Sequence, residues 1–222
     1  MKSKKPETPR GRLRPAVLVA IAGGSGSGKT WLAAALRRRL HPHAGLLSLD
    51  DFYRDLSHLP GKARAKSNFD SPAAIDWTLF EATLRAIARG ETPSLPRYDF
   101  ARHTRAPATR RWRRRDIVLI EGLWPWGKPQ LRELFALRIY RSVETDLRYT
   151  RRLHRDIRHR GRTPDDVERQ WTAQVEPMYG RHVAPQLKSA DLVLDARLAA
   201  VELDALAERI RRLPPASNMT RP

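Results

Sequence analysis

The sequence predicts an α/β fold in which a parallel sheet is flanked by helices, and three observations carry that prediction. Seven apolar residues, Ala16 to Ala22, run straight into a glycine-rich turn. A stretch with apolar residues at helical spacing, Trp31 to Leu40, follows that turn. Two later apolar runs, Gly45–Asp50 and Asp116–Gly122, end or nearly end in an acid and are themselves followed by helical patterns. Continuous apolar runs that alternate with helices are strands buried on both faces of a parallel sheet.

Residues 1–15 form a basic tail, with Lys2, Lys4, Lys5, Arg10, Arg12 and Arg14, which is expected to be disordered. Together with the apolar run behind it, the tail imitates a secretion signal. A signal would end in a cleavage site, whereas this run ends in Gly23-Gly24-Ser25-Gly26-Ser27-Gly28-Lys29-Thr30. That turn matches every position of the phosphate-loop pattern between a strand and a helix, so a P-loop NTPase fold is expected. Its glycines let successive N–H groups point into one concavity, and the first helical turn adds unpaired donors and a positive dipole end. Lys29 holds the outer phosphates as a point charge, and the Thr30 hydroxyl is a ligand for Mg²⁺. ATP (or GTP) and Mg²⁺ are therefore the expected cofactors.

Gly45–Asp50 reads as the second strand, and 51–71 as a polar extended stretch. Asp76–Gly90 reads as a helix with Trp77, Phe80, Leu84 and Ile87 on one face. Pro93 and Pro96 bracket a short extended piece reaching Phe100, expected on a sheet edge, and 101–115 reads as a β-hairpin insertion or loop. Asp116–Gly122 is a strand, Leu131–Phe135 a short helix and Leu137–Val143 a strand. Ser142–His159 is expected to be a helix with Leu147, Leu153 and Ile157 on its apolar side. Thr163-Pro-Asp-Asp166 starts another helix, running to about 181, through a Thr cap, Pro at the first position and acids in the first turn. Ala190–Asp195 is the last strand, Val201–Leu213 the last helix, and 214–222 a tail. The expected organisation is one P-loop domain over 16–213, with a small helical lid at about 144–180.

Composition bounds the function. With no cysteine among 222 residues, disulfides and thiolate metal sites are excluded. No apolar run approaches the roughly 20 residues of a membrane span, so a cytoplasmic protein without membrane partners is expected. A net charge of +19 favours anionic partners. The charge concentrates in the tail, in Arg110–Arg115 and in the seven arginines of 148–162. Those seven have only Glu144, Asp146 and Asp156 nearby in sequence, so a bound polyphosphate is the expected counter-charge.

Asp50 and Glu121 stand at carboxyl ends of strands, where an open α/β sheet binds its ligands. One acid beside Mg²⁺ and another placed to take a proton from a hydroxyl suffice for phosphoryl transfer to an alcohol. At this point the chain resembles the uridine kinase family of the uridine kinase/phosphoribulokinase group. The resemblance rests on Gly23–Thr30, Ser48-Leu-Asp-Asp-Phe-Tyr53, Asn68-Phe-Asp70 and Tyr98-Asp-Phe-Ala-Arg-His103. Val118-Leu-Ile-Glu-Gly122 and Arg155-Asp-Ile-Arg-His-Arg-Gly-Arg162 continue it.

The resemblance implies that Asp50 is the general base for a nucleoside 5′-hydroxyl and, with Thr30 and Glu121, surrounds Mg²⁺. It implies that Lys29, Arg155 and Arg160 act in the transfer and that Arg162 serves the donor. Asp70 with Arg152 would hold the ribose, and Phe69 would pack on the base. Tyr98 and His103 would meet its polar edge, and Gln170 its pyrimidine side. A nucleoside substrate and a homo-oligomer follow as expectations. A sibling kinase acting on a sugar phosphate or pantothenate is the near rival. Nucleic-acid binding through the basic patches, as in a nucleic-acid-dependent NTPase, is the rival from another class and is not favoured; a regulatory module that binds nucleotide without turnover is a third. Ser71 stands where the family has histidine, and Trp31 is bulky for its place after the loop.

Overall fold

The computed structural model describes residues 14–216. The expected basic tail lies almost wholly outside them, as does the end of the C-terminal tail. In chain order the elements begin with β1 (Val17–Gly23), α1 (Lys29–Arg39), β2 (Ala44–Ser48), α2 (Gly61–Ala65) and α3 (Trp77–Ala88). Four two-residue strands follow: β3 (Ser94–Leu95), β4 (Tyr98–Asp99), β5 (Thr104–Arg105) and β6 (Arg110–Arg111). Then come β7 (Ile117–Gly122), β8 (Leu137–Arg141), α4 (Thr145–Arg160), α5 (Pro164–Gln170), α6 (Glu176–Met178), β9 (Leu192–Leu194) and α7 (Ala200–Arg211).

The main sheet has the order β2-β7-β1-β8-β9, with every pairing parallel. All seven residues of β1, its central strand, are buried, which is why the run shows no polar alternation. Leu18, Ala20 and Ala22 face a core built from Phe52, Phe80, Trp124 and Trp126. Val17, Val19 and Ile21 face Leu32, Leu36, Leu203 and Ile210 of α1 and α7. The sheet is thus sealed on both sides, and its strand ends point at one rim. Among the described residues no helix is long and apolar enough to cross a membrane.

Several expectations need correction. The 94–111 segment does not extend the main sheet; β3 pairs with β6 and β4 with β5, antiparallel, as two small ribbons. Pro93 and Pro96 withhold the donors that joining a long ladder would need. The first ribbon is pinned by Trp112, which is buried and packs on Gly45 of β2. The 131–135 segment is a 3₁₀ turn over Pro129–Leu134. The helix after Thr163 runs on to Val183, with π-helical stretches at Trp171–Val175 and Tyr179–Val183.

The largest correction concerns α4. It starts at Thr145, and its inward face is not the apolar one. Leu147 and Ile157 are each 39% exposed, while Arg148, Arg152 and Asp156, spaced four apart, are buried. The helix is turned this way because its charged stripe finds partners inside.

Candidate active site

The phosphate loop is held from behind. Gly26 and Gly28 have φ of 80° and 81°, a left-handed conformation that favours glycine. A side chain at Gly26 would run into the Arg148 carbonyl of α4, and one at Gly24 into the Arg148 guanidinium and the Tyr179 ring. The backbone of the loop therefore lies directly on the arginine helix. Buried Arg141 clasps the other side, donating to the Ser27 carbonyl at 3.3 Å and to the Asp195 and Ala196 carbonyls.

At the rim, three oxygen groups converge. Thr30 Oγ1 donates to Glu121 Oε2 at 3.1 Å, and Ser48 Oγ donates to Glu121 Oε1 at 2.9 Å. Ser48 Oγ also receives the Asp50 backbone N–H at 3.3 Å, which seats Asp50 at the end of β2. Burial pushes the Glu121 carboxyl up, Lys29 pulls it down, and the Asp50 charge nearby pushes it up again. A hydroxyl and two carboxylates are hard oxygen donors, the set Mg²⁺ takes when substrate phosphates complete its shell. Among the described residues no group of three or more His, Cys, Asp or Glu could hold a metal alone.

A cavity of about 790 Å³ opens from this rim. Lys29, Asp50 and Ser25 line its phosphate-loop end, and Arg152, Arg155, Arg160, Arg162 and Gln170 line the wall from α4 and α5. Phe69, Asp70, Tyr98 and His103 line the far end. Twelve of the nineteen expected site residues, from Ser25 to Gln170, line this cavity; Gly23, Gly24, Gly26, Ser27, Gly28, Thr30 and Glu121 do not line it.

The far end is an aromatic cluster. Tyr53 lies 5.1 Å from Phe69 and 5.2 Å from Tyr98, edge to face, and His103 stacks on Phe69 at 4.8 Å. Tyr53 Oη donates to the Phe69 carbonyl at 3.0 Å, which fixes the turn carrying Asp70. Burial pushes the Tyr98 phenol up to about 12, and its Oη has no protein partner. Burial, followed by Arg162 and Arg64, lowers His103, which favours its neutral imidazole. Burial raises the Asp70 carboxyl, Arg152 opposes that, and Asp50 reinforces it.

The arginine wall is built on Asp156, whose side chain is fully buried. Arg155 approaches it at 2.8 Å, Arg160 at 3.3 Å, Arg152 at 3.5 Å and Arg162 at 3.7 Å. Arg152 also donates to Ser25 Oγ and Gln170 Oε1, each at 2.8 Å, and Arg162 contacts the same Gln170 oxygen. Gln170, expected on the pyrimidine side of the pocket, therefore clamps arginines through its Oε1. Arg148 pairs with Glu176 at 3.0 Å and stacks on Tyr179 at 3.8 Å. Five of the seven arginines thus find their counter-charge within the protein, four on Asp156 and Arg148 on Glu176, an acid 28 residues downstream of it.

Sequence reasoning assigned no role to four residues here. Ser48, which opens the Ser48–Tyr53 stretch, bridges to Glu121, and Glu176 holds Arg148. Tyr53 ends the Asp-x-Phe-Tyr run, which marks it. His159, read as a surface histidine, lines the cavity; its position one turn beyond Arg155 is a helical-face signal. Ser71 caps a short turn through Ala73 N at 3.3 Å, and nothing in the structure explains the half-exposed Trp31.

A model described as the Phosphoribulokinase / Uridine kinase family matches residues 18–203. The chain is 40% identical over 178 residues to the uridine kinase of Chloroflexus aurantiacus, covering 80% of this chain and 85% of that protein. To the uridine kinase of Lactobacillus helveticus it is 36% identical over 186 residues, covering 83% and 88%. Phosphoribulokinase from Rhodobacter spheroides superposes with a TM-score of 0.57 at 16% identity, over 83% of this chain and 70% of that one. At that identity the likeness speaks for the fold alone.

Proposed function

The chain belongs to the phosphoribulokinase/uridine kinase family and is a kinase, and from that premise we propose that it phosphorylates the 5′-hydroxyl of uridine or cytidine. The observation that carries the reading is the arrangement of residues along this cavity. Lys29 and Asp50 stand at one end, and a cluster of Tyr53, Phe69, Tyr98 and His103 with Asp70 at the other. An aromatic cluster with an unpaired phenol and a neutral imidazole suits a planar, uncharged base that needs stacking and a few donors or acceptors. A carboxylate beside it suits ribose hydroxyls.

In this reading Asp50 accepts the proton of the 5′-hydroxyl as the hydroxyl oxygen attacks the terminal phosphorus of the donor, whose phosphoanhydride bond breaks and releases the nucleoside diphosphate. Arg155, Arg160 and Lys29 meet charge that develops on the transferring group, with Arg162 at the donor phosphates. Thr30, Asp50 and Glu121 would hold Mg²⁺, which would neutralise phosphate charge there. Asp70 orients ribose, Tyr98 and His103 meet the base edge, and Arg152 and Gln170 hold the wall in register.

A panel of acceptors tests this, read as phosphate appearing on the product with ATP or GTP and Mg²⁺. Uridine or cytidine should yield the 5′-monophosphate. Transfer to a sugar phosphate or pantothenate with none to either nucleoside would overturn the reading.

A further inference from the structure

Arg110–Arg115 has no part in the cavity. Five of its six residues are arginine and all five are exposed. Among the described residues none of the five has a carboxylate within ion-pair distance, whereas most arginines of α4 and α7 are paired. The sixth residue, Trp112, is 4% exposed. Its indole packs on Gly45, and the Arg115 stem packs on the same glycine.

The segment runs along the free edge of the sheet. Arg110 lies near Asp51, at the site end of β2, and opposes the burial that raises that carboxyl. Arg115 lies at Gly45, near the start of β2. At about 3.3 Å per extended residue the row of arginines is about 17 Å long. At its lower end Arg114 Nη2 donates to the Arg14 carbonyl at 3.4 Å. The thirteen residues that precede Arg14 carry Lys2, Lys4, Lys5, Arg10 and Arg12, so further positive charge is tethered where the row ends.

Charges often guard a free strand edge against pairing. Here Trp112 already covers β2, and one or two charges would suffice. Five unpaired arginines on a pinned ribbon repel one another unless a polyanion lies across them. The planar guanidinium forks suit phosphate oxygens. The one aromatic side chain faces inward, so the row offers no platform for stacking bases and nothing apolar to insert into a membrane.

We infer that Arg110–Arg115 is a docking surface for the phosphate backbone of nucleic acid, separate from the kinase site and indifferent to sequence. Binding of a labelled 20-nucleotide RNA of mixed sequence to the full chain, followed by anisotropy between 50 and 200 mM salt, tests it. Five phosphate contacts give a logarithmic salt slope of about −3.5, a loss of about 10²-fold over that range. The triple variant Arg111→Gln, Arg113→Gln, Arg114→Gln should make the slope shallower by about 2 and leave nucleoside phosphorylation and thermal unfolding unchanged. A charge-matched control, Arg181→Gln, Arg197→Gln, Arg209→Gln, should keep the parent slope. The single Arg113→Glu should weaken binding in the same direction if the triple variant unfolds. Equal losses in both triple variants would overturn the inference in favour of net charge. Loss only on removing residues 1–13 would overturn it in favour of the tail, and tighter binding to anionic phospholipid vesicles than to RNA would overturn it in favour of a membrane surface.

Discussion

Asp156→Asn removes one charge and little volume from the point where four arginines converge, at 2.8 to 3.7 Å. The carboxylate is fully buried, as is Arg152 to within 5%, so that pair has little solvent to replace it. Arg155, Arg160 and Arg162 are 37%, 48% and 31% exposed and can rehydrate in part. Breaking a fully buried pair costs about 3–5 kcal/mol; with three partly solvated partners we expect about 2–4 kcal/mol. For a domain of this size that is a fall in Tm of about 5–15 °C.

The pH dependence has a definite sign. Burial pushes the Asp156 carboxyl up, but Arg155 and the other arginines outweigh it, so its folded value lies below the ordinary 3.8. A depressed carboxyl contributes stability that is complete above its unfolded value and is lost as pH falls through its folded value. The gap between parent and variant should therefore be flat from about pH 5 to 8 and narrow below about pH 4. Thermal unfolding by circular dichroism across pH measures this. The arginine wall should also lose its register, lowering kcat more than it raises the KM for nucleoside. A variant within 1 °C (about 0.5 kcal/mol or less) of the parent at pH 7, or a gap unchanged at pH 3, would refute the argument.

Three further outcomes are expected. Asp50→Asn should keep donor binding and cut turnover by roughly 10²–10⁴, the range for a general base; near-normal turnover would shift the role to its neighbour Asp51. Deoxyuridine should be roughly 10²-fold poorer than uridine, because removing the 2′-hydroxyl leaves Asp70 short of a partner, and Asp70→Ala should erode that preference. Equal efficiency on both nucleosides would show that Asp70 does not read ribose. Amide exchange over 144–180 should slow when an ATP analogue and Mg²⁺ bind, as a closing lid requires. Unchanged protection with binding confirmed by calorimetry would defeat that idea.

What the sequence determined by itself was everything with a local cause. A strand buried on both faces must be largely apolar, so β1 and the Ile117–Ile120 part of β7 were visible as runs, and the edge strand β2 was visible through Leu46 and Leu47. A loop that points its N–H groups inward needs glycine, so Gly23–Thr30 was visible as spacing. Asp50 and Glu121 followed from where those runs end. Tertiary structure decided which way α4 faces. Taken alone, its apolar residues predict that Leu147 and Ile157 turn inward, yet both stand half in solvent. The buried stripe is Arg148, Arg152 and Asp156, because Ser25, Gln170 and Glu176 are brought within 3.0 Å of its arginines. The same holds for Ser48 on Glu121 and for Trp112 on Gly45. A buried charge is tolerable only when it is paired, and its partners come from anywhere in the chain. Local periodicity reports how apolar a face is, but only the fold supplies the opposite charges that let a polar one turn inward.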